Sequence, residues 1–208
     1  MSILVLTSDT LIGTAAAGNI EYTSPIFAAT PIGTQRGIVP TQQYYRLNAD
    51  YVGSNATGAQ SLFGVGVTLS ASTVYEFEII FALSKTAGAT SHTIALGFGG
   101  TATVNNIGYY ESLAENNTSL TTLAATNDGV VFIQTASATV ITQSFGNATK
   151  CAISIVKGTV SINAGGTFIP QYTLSVAPGG AYSTVAGSFI RINPLSASGA
   201  ATNVGTWA

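Results

Sequence analysis

The sequence predicts an all-β protein, an antiparallel β-sandwich of the jelly-roll kind with an extended N-terminal arm. Three observations carry this expectation. Short apolar and threonine-rich runs recur along the chain, separated by glycine, alanine, serine and asparagine. The clearest run, 73–83, alternates: Tyr75, Phe77 and Ile79 fall on one side, Glu76 and Glu78 on the other. That is the period of a half-buried strand. No segment repeats at the 3.6-residue period of an amphipathic helix, and there is no longer repeat of fixed period.

Residues 1–40 hold Pro25, Pro31, Gly33, Gly37 and Pro40. Prolines remove ladder hydrogen bonds, so 1–40 reads as an N-terminal arm with edge strands. Residues 41–208 read as the sandwich domain. Inside the arm, Ile3, Leu4, Val5 and Leu6 form a short apolar run. It is either an edge strand of its own subunit or a docking strand that extends a neighbour's sheet.

Residues 41–47 read as a strand carrying the pair Tyr44 and Tyr45. Residues 59–63 are the one place where a helical turn is expected. After 73–83 comes a strand over 92–98, closed by Gly99 and Gly100, then a shorter run over 107–110. Glu111, Glu115, Asn116 and Asn117 are assigned to the loop that follows. Asn127, Asp128 and Gly129 signal a tight turn before a strand over 130–134, and 139–142 comes next. The runs 150–156 and 159–163 flank Lys157 and Gly158 and are expected to pair as two strands. Gly165 and Gly166 turn into 167–174, and 188–192 is the last strand. Trp207 follows a Gly/Ala/Ser-rich tail, and is expected to pack either on its own sandwich or on a neighbouring subunit.

Composition narrows the function. Only 7% of the 208 residues are charged, against about 25% in an average globular chain. A surface of Thr, Ser, Asn, Gln and Gly suits a rigid framework in contact with its own copies or with another protein shell. The six basic residues stand singly and the net charge is −2. Phosphate binding needs basic groups converging on one face, so neither nucleic acid nor an anionic membrane is an expected partner. No apolar run approaches the ~18 residues of a membrane span. The N-terminus lacks a basic region of the signal-peptide type, so no secretion signal is read.

The residue inventory also bears on chemistry. One histidine and one cysteine exclude a histidine-rich zinc site and a cysteine pair. Cys151 sits in an apolar run and reads as a buried small hydrophobe. His92 reads as an ordinary strand or turn residue, since no Gly-x-Ser-x-Gly elbow accompanies it. Glu76 and Glu78 share the polar side of a strand, where water or a basic partner such as Arg46 or Arg191 relieves their repulsion. Glu111 and Glu115 read as solvated loop carboxylates rather than a glycosidase pair. The Asn/Asp-rich loops at 50–55 and 127–128 lack the carboxylate density of a dedicated calcium site. No catalytic residue, cofactor or metal is expected, and the chain does not read as an enzyme.

Several segments resemble a widespread set of tailed-bacteriophage virion proteins, notably from cyanophages and other aquatic phages. They are Ala17-Gly18-Asn19-Ile20-Glu21-Tyr22, Arg36-Gly37-Ile38-Val39-Pro40, Phe98-Gly99-Gly100-Thr101-Ala102-Thr103 and Asn203-Val204-Gly205-Thr206-Trp207. The resemblance runs from about Ala17 to the end, and its motifs carry no catalytic meaning. In that set the module often closes a longer fibre-like protein. Here it stands nearly alone, which implies a compact surface protein. Val74-Tyr75-Glu76-Phe77 and Gly187-Ser188-Phe189-Ile190-Arg191 are also similar to strands of the trimeric jelly rolls of the tumour-necrosis-factor and complement type, which implies a three-fold assembly.

The expected function is therefore non-enzymatic: a trimeric capsid decoration or cement protein at the virion surface. Its partners would be its own copies and the phage major capsid protein or a tail protein. Candidate subunit or capsid contacts are Ile3, Leu4, Val5, Leu6 and Trp207. The alternative is the receptor-binding tip of a tail fibre or spike, with candidate glycan contacts at Tyr109, Tyr110, Glu111, Asn116 and Asn117 and a second aromatic group at Tyr44, Tyr45 and Arg46.

Overall fold

The computed structural model describes residues 6–10, 14–116, 129–199, 201, 203–205 and 207. Among the described residues it contains sixteen strands and no helix. In chain order they are β1 (Ile20–Thr23), β2 (Ile26–Ala29), β3 (Gly37–Val39), β4 (Gln43–Arg46), β5 (Tyr51–Val52), β6 (Gln60–Ser61), β7 (Val67–Leu69) and β8 (Thr73–Lys85). Then follow β9 (Ile94–Gly99), β10 (Thr103–Asn116), β11 (Gly129–Ile133), β12 (Thr139–Val140), β13 (Lys150–Ala164), β14 (Gly166–Leu174), β15 (Ser183–Thr184) and β16 (Phe189–Ala197).

These strands form an antiparallel sandwich. The larger sheet has eight strands, in the order β11-β10-β13-β8-β15-β5, with β16 also on β8 and β4 outside β16. The smaller has five, β12-β9-β14-β6, with β7 also on β14. The all-β sandwich agrees with the sequence expectation; these pairings do not by themselves establish the finer jelly-roll order. Residues 20–39 make a separate three-stranded sheet, β1-β2-β3, in which the Arg36 guanidinium clasps the Glu21 carboxylate at 2.8 and 3.2 Å.

The core lies between the two large sheets. From β8 it takes Tyr75, Phe77, Ile79, Phe81 and Leu83; from β13, Ala152, Val156, Val160 and Ile162; from β10, Ile107, Tyr109 and Leu113. Leu96, Phe168, Tyr172 and Leu174 close it from the smaller sheet. Strict alternation along β8 explains its inner face. At the centre, Phe98 stacks on Phe168 with centroids 4.9 Å apart, and meets Phe77 at 5.5 Å and Tyr109 at 5.3 Å.

Gly158 is where the structure corrects the sequence reading most. The runs 150–156 and 159–163 are not a hairpin but one strand, β13, of 15 residues. Gly158 pairs with Tyr109 on one side and Phe77 on the other. A Cβ there would lie 2.2 Å from the Gly108 carbonyl oxygen and 2.5 Å from Tyr109 Cβ. The glycine is needed for close approach inside a strand, not for a turn. Similarly, 107–110 is only part of β10, a strand of 14 residues. The helical turn expected at 59–63 is the short strand β6 followed by a turn. There the Ser61 hydroxyl accepts from the Phe63 and Gly64 amides at 3.2 and 2.9 Å.

Gly158→Ala is expected to destabilise the protein by about 3 kcal/mol, at the upper end of overpacking costs, because the obstruction is largely backbone. Urea denaturation of the variant measures it, and an unchanged midpoint would show that the sheet yields at this point.

Candidate functional site

Two arrangements of polar and aromatic residues stand out, on opposite faces of the eight-stranded sheet. On the outer face, register places Phe132, Tyr110, Lys157, Glu78, Arg191 and Tyr44 in one row across six strands. Residues directly opposite on neighbouring strands share a face, so the row has aromatic ends and a charged middle. Lys157 Nζ lies 2.8 Å from Glu78 Oε1, and Arg191 pairs with Glu78 Oε2. Of the two basic partners expected for the β8 glutamates, Arg191 is the one used; Arg46 instead donates to Asn48 Oδ1 at 2.7 Å. Burial raises the Glu78 pKa, but the Lys157 hydrogen bond and the charges of Arg191 and Lys157 outweigh it. The carboxyl is held below its ordinary range.

The adjacent row is apolar: Val130, Ser112, Ile155, Ile80 and Phe189, ending at Arg46. At the edge of the sheet, β11 pairs, among the described residues, only with β10. Val130 is 71% and Phe132 67% exposed. Residues 129–149 carry no charge.

The inner face of β10 carries the second arrangement. Alternation continues from Tyr109 through Glu111 and Leu113 to Glu115, all pointing into the sandwich. Glu111 and Glu115 are each only 1% exposed. Lys150 Nζ donates to Glu115 Oε2 at 2.5 Å and stands 3.9 Å from the Phe145 ring centroid. The Ser154 hydroxyl donates to Glu111 Oε1 at 2.5 Å. Burial pushes the Glu111 carboxyl up to about 7, against the opposing hydrogen bond from Ser154.

Next to this pair, Lys85 is the cross-strand neighbour of Lys150. Its ammonium donates to the carbonyls of Gly88 and Asn147 at 2.5 Å and of Ala148 at 3.2 Å. Burial, then the charge of Lys150, lowers its pKa. His92 is buried too. Its Nδ1 lies 2.7 Å from the Thr90 carbonyl and must be the donor, so Nε2 accepts from the Tyr182 hydroxyl at 2.9 Å. Burial keeps this ring neutral. Burial also raises the Cys151 thiol to about 11, so it is not a reactive thiolate. The hydroxyl nearest a carboxylate, Ser154, is fully buried and out of reach of a substrate.

The sequence-predicted sites are divided by this geometry. Tyr110 is exposed, as a glycan contact requires, but Tyr109 is 0% exposed in the aromatic core and cannot touch a glycan. Glu111 and Asn116 are likewise buried, so the expectation of solvated loop carboxylates at Glu111 and Glu115 is overturned: they belong to β10. Asn117 lies outside the described residues, as do Ile3, Leu4 and Val5. Leu6 is exposed, and Trp207 is 79% exposed with its indole nitrogen donating to the Val204 carbonyl at 3.0 Å. Tyr44 joins the outer row. Tyr45 turns to the other face, where its ring meets Phe63 edge-on at 6.2 Å. Asp50 and Asn55 serve as acceptors for the Ala186 and Gly179 amides at 2.8 and 2.9 Å. Among the described residues, no three His, Cys, Asp or Glu side chains gather.

No protein-family model and no curated protein matches the chain. Among solved structures, a chain from the structure of infectious bursal disease virus Gx strain is similar over 88% of this chain and 46% of that one, with 9% identity and a TM-score of 0.21. The present chain thus spans less than half the length of that neighbour.

Two substitutions test the clusters. Lys150→Met leaves Glu115 buried without its counter-charge, and is expected to cost about 3–5 kcal/mol in denaturant unfolding. Glu78→Gln is expected to cost about 1 kcal/mol at pH 7. Because the Glu78 pKa is depressed on folding, its stabilisation is complete above the ordinary carboxylate range and is lost as pH falls through the depressed value. Melting curves at pH 7 and pH 3 should therefore converge for variant and wild type in acid; a constant gap would show that the pairing is not what Glu78 contributes.

Proposed function

We propose that the chain is a non-enzymatic structural protein of a virion surface, a homotrimeric decoration or cement protein that stabilises a phage shell. The observation that carries this reading is the β11 edge, which among the described residues has no partner beyond β10, with exposed Val130, Val131 and Phe132 beside an apolar sheet face. Monomeric proteins protect free edges with charge, proline or bulges. This one is neutral and apolar, which favours contact with another protein. Burial is worth about 25 cal/mol per Å², and a standard interface removes roughly 800 Å² per partner. Many such contacts on a shell add through avidity. Ile3, Leu4, Val5, Leu6 and Trp207 remain candidate contacts to the major capsid protein or a tail protein in this reading.

One observation favours the alternative, a receptor-binding tip that contacts host glycans. Tyr110 and Tyr44 are both exposed and stand at either side of Lys157, Glu78 and Arg191 in the outer row. Copy number on the particle separates the two: hundreds of copies fit a shell, a handful fit a tail.

The purified chain is expected to sediment as a trimer at micromolar concentration, and Phe132→Lys to shift it at least tenfold toward monomer with an unchanged melting temperature. A wild-type monomer across that range would defeat the assembly reading.

A further inference from the structure

We infer that the cavity behind the β11 edge is a binding site for a hard divalent cation, with calcium as the matching ion, held by Glu111 and Glu115. The inference is independent of any role at a virion surface. Each carboxylate has one oxygen committed and one bare. Ser154 holds Glu111 Oε1, and Lys150 holds Glu115 Oε2. Glu111 Oε2 and Glu115 Oε1 are fully buried and have no hydrogen-bond partner among the described residues. Buried polar atoms without partners cost roughly 1–3 kcal/mol each, and more when charged. Natural structures rarely tolerate two in one place without an ion or ordered water.

Both residues line a single cavity of about 180 Å³, together with Leu113, Gly129, Val131, Ile141 and Gln143. At roughly 30 Å³ per water molecule, it has room for an ion and several waters. The two carboxylates are not answered alike. Two carboxylates face it, and Lys150 answers one of them. The neighbouring ammonium of Lys85 is turned to backbone carbonyls, and His92 is neutral with both ring nitrogens occupied. Among the described residues, Glu111 is thus left without a direct cationic partner.

The donors select the ion. Carboxylate oxygens, the Gln143 side-chain amide and water are all hard ligands, with no thiolate or imidazole on the cavity wall. Glu111 and Glu115 are four positions apart on one strand face, roughly 13 Å between Cα atoms. Leu113 lies between them on the cavity wall, and an ion with its waters would bridge the two carboxylates. A site with two carboxylates and mostly water should be weak, with Kd on the order of 10⁻⁴–10⁻³ M. Gly129, the first residue of β11, is on the wall, so the ion would fasten the edge strand to β10.

The test uses the full-length protein at pH 8, freed of metal with a chelator and dialysed. With 5 mM calcium chloride the melting temperature should rise by several degrees over sodium chloride at equal ionic strength. Titration calorimetry should show one site of submillimolar to millimolar Kd. Terbium should luminesce on tyrosine excitation, because Tyr109 is two residues from Glu111 on the same face. Glu111→Gln should fold, since it replaces a buried carboxyl by a neutral isostere, and should lose the calcium shift and the terbium signal together. Equal melting in calcium and sodium with no binding heat would overturn the inference. So would a calcium shift that survives in Glu111→Gln, which would place the ion elsewhere.

Discussion

The register of three long strands, β10, β13 and β8, governs the rest of the molecule. They run 14, 15 and 13 residues and pair antiparallel over nearly their whole length. A one-residue slip in any of them would turn every side chain to the wrong face. What locks the register is the packing of Tyr109 and Phe77 either side of Gly158, with Phe98 and Phe168 closing from the opposite sheet. Aromatic rings of this size fit only where the central residue has no side chain. Once that register is fixed, Glu78 must meet Lys157 and Arg191 outside, and Glu111 and Glu115 must face inward.

Legibility in the sequence follows the same logic. The strand at β8 could be read because its polar and apolar residues alternate without exception around Phe77 and Glu78. Arg191 could be anticipated as a partner of Glu78 because charge scarcity leaves few candidates. β10 was harder. Its inner face reads Tyr109, Glu111, Leu113, Glu115, so two glutamates break the expected pattern and make the strand look finished at Tyr110. Carrying the period of two past them would have placed both inside. β13 was misread for a different reason. Lys157 and Gly158 look like a turn locally, and only the partners on both sides show that the glycine answers a packing demand. Local turn chemistry and tertiary close approach use the same residue, and one strand alone does not separate them.

Charge scarcity acquires a sharper meaning in the folded chain. Six basic and eight acidic residues are all the sequence has. Lys85, Lys150, Glu111 and Glu115 are buried. Glu21 is clasped by Arg36, and Glu78 by Lys157 and Arg191. Asp50 accepts a backbone amide and Arg46 bonds Asn48. Most of the few charges are therefore spent inside the subunit, and the surface is more neutral than the composition alone implies. The buried set is a liability for stability on its own terms, because desolvation of ions is rarely repaid in full. What it provides is specificity: Lys150 meets Glu115, and Ser154 meets Glu111, only when β10 and β13 pair in the native register.

A neutral, aromatic-edged surface has consequences for association. Copies of the chain brought close together meet little like-charge repulsion and lose little hydration energy when their faces join. The same property invites contacts of the wrong geometry, since apolar area alone does not discriminate. The charges on the outer face gather at the Lys157, Glu78, Arg191 row, with the exposed Glu76 beside it and Arg46 at the end of the next row. Its two cations share the Glu78 carboxylate, and Glu76 lines the same pocket with no ion pair to either of them among the described residues. A partner surface that covers the row without offering an acceptor would bury two cations with only the Glu78 carboxylate directly paired to them, which opposes binding. A partner that offers one gains a charge-assisted hydrogen bond instead. Shape and apolar area thus set how strongly the face can bind, and these few charges set which surfaces it can bind.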